Sequence, residues 1–289
     1  MTTSPLDPNI HPHRPDLAAE SLRGLVEAAR FAPGQAHQVS AGVASVRKAP
    51  APDAEQISQA LHGEAVAIYE ERDGFGWGQM ASDGYVGWFD MAALSAPPLA
   101  PTHKVTALRT YALSGPSARA PAHFLLSLEA RVVATGDREN GFTRCERAGW
   151  VPDVHLGPPD AFAPDPVAVA ERFVGAPYQW GGKESLGLDC SGLVQIAFAA
   201  AGMAIPRDSY MQRELGEAVP VGPDLQGLRR GDLVCWKGHV ALMVDAHRII
   251  HANGFHMATV IEPLAEAEKR IASTYGPMLT VRRLGLAAR

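Results

Sequence analysis

Trp180-Gly181-Gly182, then Asp189-Cys190-Ser191-Gly192, run into the mostly apolar stretch Leu193-Val194-Gln195-Ile196-Ala197-Phe198-Ala199-Ala200-Ala201. A helix apolar on every side has to lie inside its domain. The sequence therefore predicts a glycine-rich loop that delivers a cysteine into the first turn of a buried helix. Orphan N–H groups and the positive end of the helix dipole favour thiolate over thiol at that position. Cys190 is on these grounds a candidate nucleophile.

The chain has 289 residues, enough for two or three domains, with a formal charge of −5 that gives no basic footprint for nucleic acid. Its three widely spaced cysteines form neither a disulfide framework nor a zinc pattern. Met1 to Pro8 lacks a basic segment followed by an apolar one, and no run of about 18 apolar residues is present. The expectation is a cytoplasmic protein with reduced thiols and no membrane partner; the oligomeric state is open.

Residues 1–36 read as an extension in which Leu17, Leu22, Leu25, Val26 and Ala29 set a helical rhythm, predicting a short helix up to Phe31. From 37 to 97 the pattern becomes short alternating strands. Val43 to Arg47, Glu64 to Tyr69, Gly76 to Met80 and Gly84 to Phe89 lie between turn signals such as Asp73-Gly74 and Asp83-Gly84, implying a small barrel of five strands. A weaker copy spans 102–157, with Gly149-Trp150-Val151 echoing Gly87-Trp88-Phe89, and implies a second barrel. Pro97 to Pro101 and Pro158 to Pro166 are stiff linkers. Residues 165–289 open on helices and continue as strands at Leu233–Trp236, His239–Val244, Arg248–Ala252 and Leu279–Arg283, an α+β order.

A thiol nucleophile needs a base within reach, and the base needs an orienting partner. His239-Val240-Ala241-Leu242-Met243 and Arg248-Ile249-Ile250-His251 flank Asp245-Ala246-His247. A short hairpin there puts both histidines on one face only if the numbers of paired residues add to an even sum. Cys190 would then attack, His239 would move the proton, and His251 would orient His239. The Cys190 N–H could donate to the oxyanion. A cysteine beside an apolar helix is more often a packed core thiol, so this reading stays open on spacing alone. A metal site at Asp245, His247, His251 and His256 lacks ligand spacing. Cys145 and Cys235 read as structural.

Five motifs occur in order: Gly175 to Gly182, Asp189 to Val194, Pro206-Arg207-Asp208-Ser209, Arg230-Gly231-Asp232-Leu233-Val234 and His239-Val240-Ala241. Over about 165–262 the chain resembles NlpC-type papain-like cysteine peptidases of bacterial cell-wall peptides. Its preceding repeats resemble, less strongly, bacterial SH3-like domains. The resemblance implies a papain-like α+β catalytic domain behind two SH3-like barrels, with Cys190 as nucleophile, His239 as base and His251 as third polar residue. It implies hydrolysis of the bond between γ-D-glutamate and a diamino acid in murein peptides with a free N-terminal L-Ala, in peptide recycling, with no cofactor. Substrate contacts would fall on Tyr178, Asp189, Ser191, Asp208 and Ser209, and on Tyr85 and Glu55 (or Asp53) of the first barrel. Asp189 could equally be a helix cap, and Tyr85 a barrel-core residue. An amidase or acyltransferase on the same thiol, or an inert wall-peptide-binding module, are the alternatives.

Overall fold

The computed structural model describes residues 6–222 and 224–285. They form two compact units, Met1–Pro159 and Asp160–Arg289. Among the described residues no helix is long and apolar enough to cross a membrane.

The expected helix before Phe31 is not there. Ala18–Ala19 pairs in parallel with Phe31–Ala32, and only a single 3-10 turn, Glu20–Leu22, lies between them. Gly24 sits at φ +83°, where it ends helical continuity, and Leu17, Ala18, Ala19 and Leu22 are all buried. Arg14 fastens the segment by stacking over Trp77 at 4.2 Å, while Asp16 and Glu70 accept its hydrogen bonds. Tertiary contacts here override a weak local preference. Residues 1–5 of the proline-rich start lie outside the described residues.

The first all-β fold has seven strands rather than five: β1 Gln35–Val39, β2 Val43–Arg47, β3 Gln56–Leu61, β4 Ala65–Arg72, β5 Phe75–Met80, β6 Val86–Asp90 and β7 Leu94–Ser95. They lie in the antiparallel order β3-β2-β6-β5-β4-β1-β7. Asp73 and Gly74, at φ +52° and +79°, make the left-handed turn that a tight β4–β5 hairpin requires. Val46, Ile68, Met80, Tyr85 and Phe89 alternate inward to form the core. Of the three strands not marked out in the sequence, β1 and β3 carry Gln38, Ser58 and Gln59 at buried positions, which hides their alternation, and β7 is only two residues long.

In the same unit a five-stranded sheet runs in the spatial order Ala122–Ser127, Arg109–Leu113, Gly149–Pro152, Phe142–Cys145, Ala134–Glu139, beside a smaller three-stranded one. It touches the first fold closely. Arg131 N–H donates to the His62 carbonyl at 2.8 Å, and a Cβ at Gly63 would run into the Arg131 carbonyl. Arg147 bridges Gln38 and the Pro97 carbonyl, and Gln38 also holds Leu99.

The second unit opens with α1 Pro166–Glu171, capped by Asp165 and started on proline. Helix α2, Cys190–Ala200, is buried along its length from Cys190 to Phe198. A short α3, Ser209–Gln212, follows. The sheet comprises β8 Glu217–Ala218, β9 Leu233–Trp236, β10 His239–Met243, β11 Arg248–Asn253, β12 Ala258–Pro263 and β13 Thr280–Arg283, in the order β8-β13-β9-β10-β11-β12. Between β12 and β13 lies α4, Leu264–Tyr275, which buries Leu264, Ala267 and Ile271 against Trp236, Met243, Ile249 and Val281. Strand β12 and helix α4 had no counterpart in the sequence reading, and both reach the site.

Candidate active site

Cys190 is the first residue of α2. Asp189 caps the helix, accepting from Gly192 N–H at 2.7 Å. Its carboxylate takes four further bonds, from Gly181 N–H at 3.0 Å, the Ser191 hydroxyl at 3.2 Å and both terminal nitrogens of Arg207 at 2.9 and 2.6 Å. Arg207 is 1% exposed, so an ion pair sits beneath the cysteine loop. Asp189 thus fills the cap role, which leaves the substrate role open beside it, on a carboxylate that already accepts five hydrogen bonds. Ser191 is likewise engaged, accepting from Arg207 at 2.9 Å. Gln212, fully buried, donates to the Ser191 and Pro206 carbonyls and ties α3 to the base of α2.

The histidines follow from hairpin register. Leu242 pairs with Ile250 and Met243 with Ile249, so odd-numbered residues of β10 and β11 share a face. Asp245 holds the turn by accepting from the His247 and Arg248 N–H groups at 2.9 Å each. His239 Nε2 lies 2.8 Å from His251 Nδ1, their rings edge to face at 64°. His251 Nε2 in turn lies 2.6 Å from a Glu262 carboxylate oxygen on β12, and Arg270 of α4 clamps that carboxylate with two nitrogens.

Cysteine and imidazole meet through the backbone. The backbone of Val240, the residue after His239, and that of Ser191 lie close enough to the Cys190 thiol to favour its ionised form. No direct Sγ–imidazole bond is present among the described residues, a looseness common before substrate arrives. Burial pushes the thiol up to about 12, Asp189 adding to the rise while Val240, Arg207 and Ser191 oppose it. His239 is pushed down to about 3, first by burial and then by His251 and Arg270. Both shifts favour the neutral forms, thiol and imidazole, and run against the expected thiolate, because loss of water around the sulfur opposes the helix terminus.

Tyr178 is half-buried near the sulfur, its backbone N–H bonded to Met257 at 3.0 Å. Burial first, then Cys190 and Asp189, raise its hydroxyl, which stays protonated as a donor. Asp208 precedes α3, its carbonyl accepting from Met211 and Gln212 at 3.0 Å, and Ser209 begins the helix. Tyr85 is 3% exposed within the first barrel's apolar cluster, the core role of the two considered. Glu55 is exposed in the loop before β3, 3.5 Å from Lys48. The sequence reading missed Glu262, Arg270 and Arg207. Asn253-Gly254 was the available signal for Glu262, since a turn there returns a strand alongside His251.

Residues 175–272 match the NlpC/P60 family, and residues 46–94 match the bacterial dipeptidyl-peptidase Sh3 domain. "Dipeptidyl-peptidase 6" of Lysinibacillus sphaericus is 34% identical over 42% of this chain and 43% of its own length. "Gamma-D-glutamyl-L-lysine dipeptidyl-peptidase" of Bacillus subtilis (strain 168) is 34% identical over 37% of this chain and 38% of its own. The matches thus span about two-fifths of these relatives. A crystal structure of an NlpC/P60 family protein from Bacillus cereus ATCC 10987 shares the fold, with a TM-score of 0.70 over 86% of this chain and 99% of that one at 20% identity. The chain carries an NlpC/P60 domain over residues 175–272, preceded by a bacterial dipeptidyl-peptidase SH3 domain over residues 46–94.

Proposed function

We propose that this protein is a cysteine peptidase that cleaves the bond between γ-linked D-glutamate and a diamino acid in released cell-wall peptides bearing a free N-terminal L-alanine. The observation that carries the reading is the hydrogen-bonded pair His239–His251, in which His239 adjoins Val240, whose backbone lies beside the Cys190 thiol at the start of α2. The Bacillus subtilis relative, a gamma-D-glutamyl-L-lysine dipeptidyl-peptidase by name, supports the bond class.

The thiol proton passes to His239 as sulfur attacks the γ-carbonyl carbon and an S–C bond forms. Among the helix-terminal N–H groups, that of Cys190 is placed to receive the oxyanion. Collapse breaks the C–N bond, and His239 returns the proton to the leaving amine. Water, deprotonated by His239, then hydrolyses the thioester to the γ-carboxylate and restores the thiol. A neutral imidazole is the form this cycle needs, and burial keeps His239 in it. Tyr178, Asp189, Ser191, Asp208 and Ser209 are the proposed peptide contacts.

The test is incubation with L-Ala-γ-D-Glu-diaminopimelate and its lysine analogue, each also N-acetylated, and with intact sacculi. Release of L-Ala-γ-D-Glu from the free-amine peptides only, abolished in Cys190→Ala, is expected. Equal cleavage of acetylated peptide removes the free-amine specificity, and no release from any substrate removes the activity.

A further inference from the structure

We infer that Glu262, clamped by Arg270, is a positioning residue that sets which nitrogen of His239 carries the proton and which is left as the base. The inference rests on the Cys190–His239 reading above and extends it by two residues from β12 and α4, elements outside the hairpin that carries the histidines.

The chain of atoms has a single direction. Glu262 is ionised, held down to about 2 despite burial by its bonds to His251 and Arg270. A carboxylate only accepts, so His251 must donate through Nε2 across 2.6 Å. A neutral imidazole carrying its proton on Nε2 offers a lone pair on Nδ1, so His239 must donate from Nε2 across 2.8 Å. That leaves Nδ1 of His239 unprotonated and free to take the thiol proton. With the opposite tautomers, His239 would carry its proton on Nδ1 and spend its lone pair on His251, the fault that disables a triad when its carboxylate becomes an amide.

Geometry fixes the carboxylate itself. His251 pairs with Val260 across β11 and β12, which puts Glu262 one diagonal away on the same face. Arg270 approaches from α4 through two nitrogens, at 2.9 and 2.5 Å, and its guanidinium rests 4.5 Å above the Phe255 ring. The charged or titratable groups around this carboxylate are His239 on β10, His251 on β11, His256 in the following turn, and Arg270 with Glu266 on α4. Glu262 stabilises an imidazolium at His239, whereas Arg270 opposes it.

Two readouts test this. The first is independent of activity: 15N spectra of histidine-labelled wild type should show His239 and His251 both protonated on Nε2 alone near neutral pH. A proton on Nδ1 of His251 overturns the inference even if the enzyme is active. The second is the pH dependence of kcat/KM. Glu262→Gln should lower kcat/KM about 10²-fold, within the contribution of a positioned base, and move the acid limb to lower pH. Arg270→Gln should move that limb to higher pH. Opposite displacements are not produced by general loosening, so unchanged or parallel limbs overturn the inference. Should Glu262→Gln fail to fold, the wild-type spectrum and Arg270→Gln decide. Inactivity of wild type on every peptide, with the expected tautomers, would instead count against the proposed function alone.

Discussion

Two neutral groups at the centre of the site have consequences for stability at both ends of the pH scale. His239 and His251 are held below their ordinary 6.5, so below that pH the unfolded chain binds protons that the folded one refuses. Stability is therefore lost as pH falls from about 6.5. Cys190, Cys145 and Cys235 are held above 9.0, each near 12, so above pH 9 the unfolded chain releases protons that the folded one keeps. Stability falls again there. Thermal melts should show a plateau between about pH 6.5 and 9, with Cys190→Ser flattening part of the alkaline fall. A melting temperature that rises beyond pH 9 contradicts the buried neutral thiol. The three reacting residues were legible in the chain because each lies in a short motif whose neighbours dictate the local shape. Glu262 and Arg270 were not, because each becomes a partner only once β12 and α4 have packed beside β11.

Among the elements, α2 starts on a buried ion pair. Its N-terminus rests on Asp189 and Arg207, which are 18 residues apart and exchange two hydrogen bonds out of water. Truncating one partner leaves the other buried and unpaired. Asp189→Ala should destabilise the protein by about 3–5 kcal/mol in urea titration, with Asp189→Ala/Arg207→Met recovering much of the loss. A single-mutant cost below about 1 kcal/mol, the range of an exposed pair, would show that water reaches Arg207. The helix itself was readable from its apolar run. The arginine was quoted in the sequence as part of a motif, yet its role under the helix depends on a return of the chain that local pattern does not encode. Helix α4 was missed because only three of its twelve residues are buried, a faint stripe among charged neighbours.

For the molecule as a whole, the first unit is two small β folds in direct backbone contact rather than two modules on a stiff tether. Gly63 has φ +80° and no room for a Cβ against Arg131. Gly63→Ala should therefore lower stability by about 1–3 kcal/mol through backbone strain, and the steric clash with the partner fold adds to this. A melting temperature equal to wild type would contradict the close approach. The linker character of Pro97 to Pro101 was legible from composition. Its attachment to Gln38 through the Leu99 carbonyl, and the Arg147 bond to Pro97, were not. Nor was the extended course of Ala18–Ala19 and Phe31–Ala32, where packing of Leu17 and Ala32 with Trp77 and Trp88 outcompetes a helical rhythm interrupted by Gly24.

What the amino-acid order alone determined is local: a cysteine at the mouth of an apolar helix, two histidines brought to one face by a short Asp245 turn, and strands where alternation was unbroken. Those features depend on neighbours within a few residues, whose sterics and hydrogen bonds act before the chain closes on itself. What the tertiary structure alone decided is the state of those groups. Burial shifts Cys190 toward the thiol, Arg207 takes up the Asp189 carboxylate, and Glu262 with Arg270 meets the far side of the imidazole pair. Desolvation and long-range pairing depend on which distant segments exclude water, and that is set only by the packed fold.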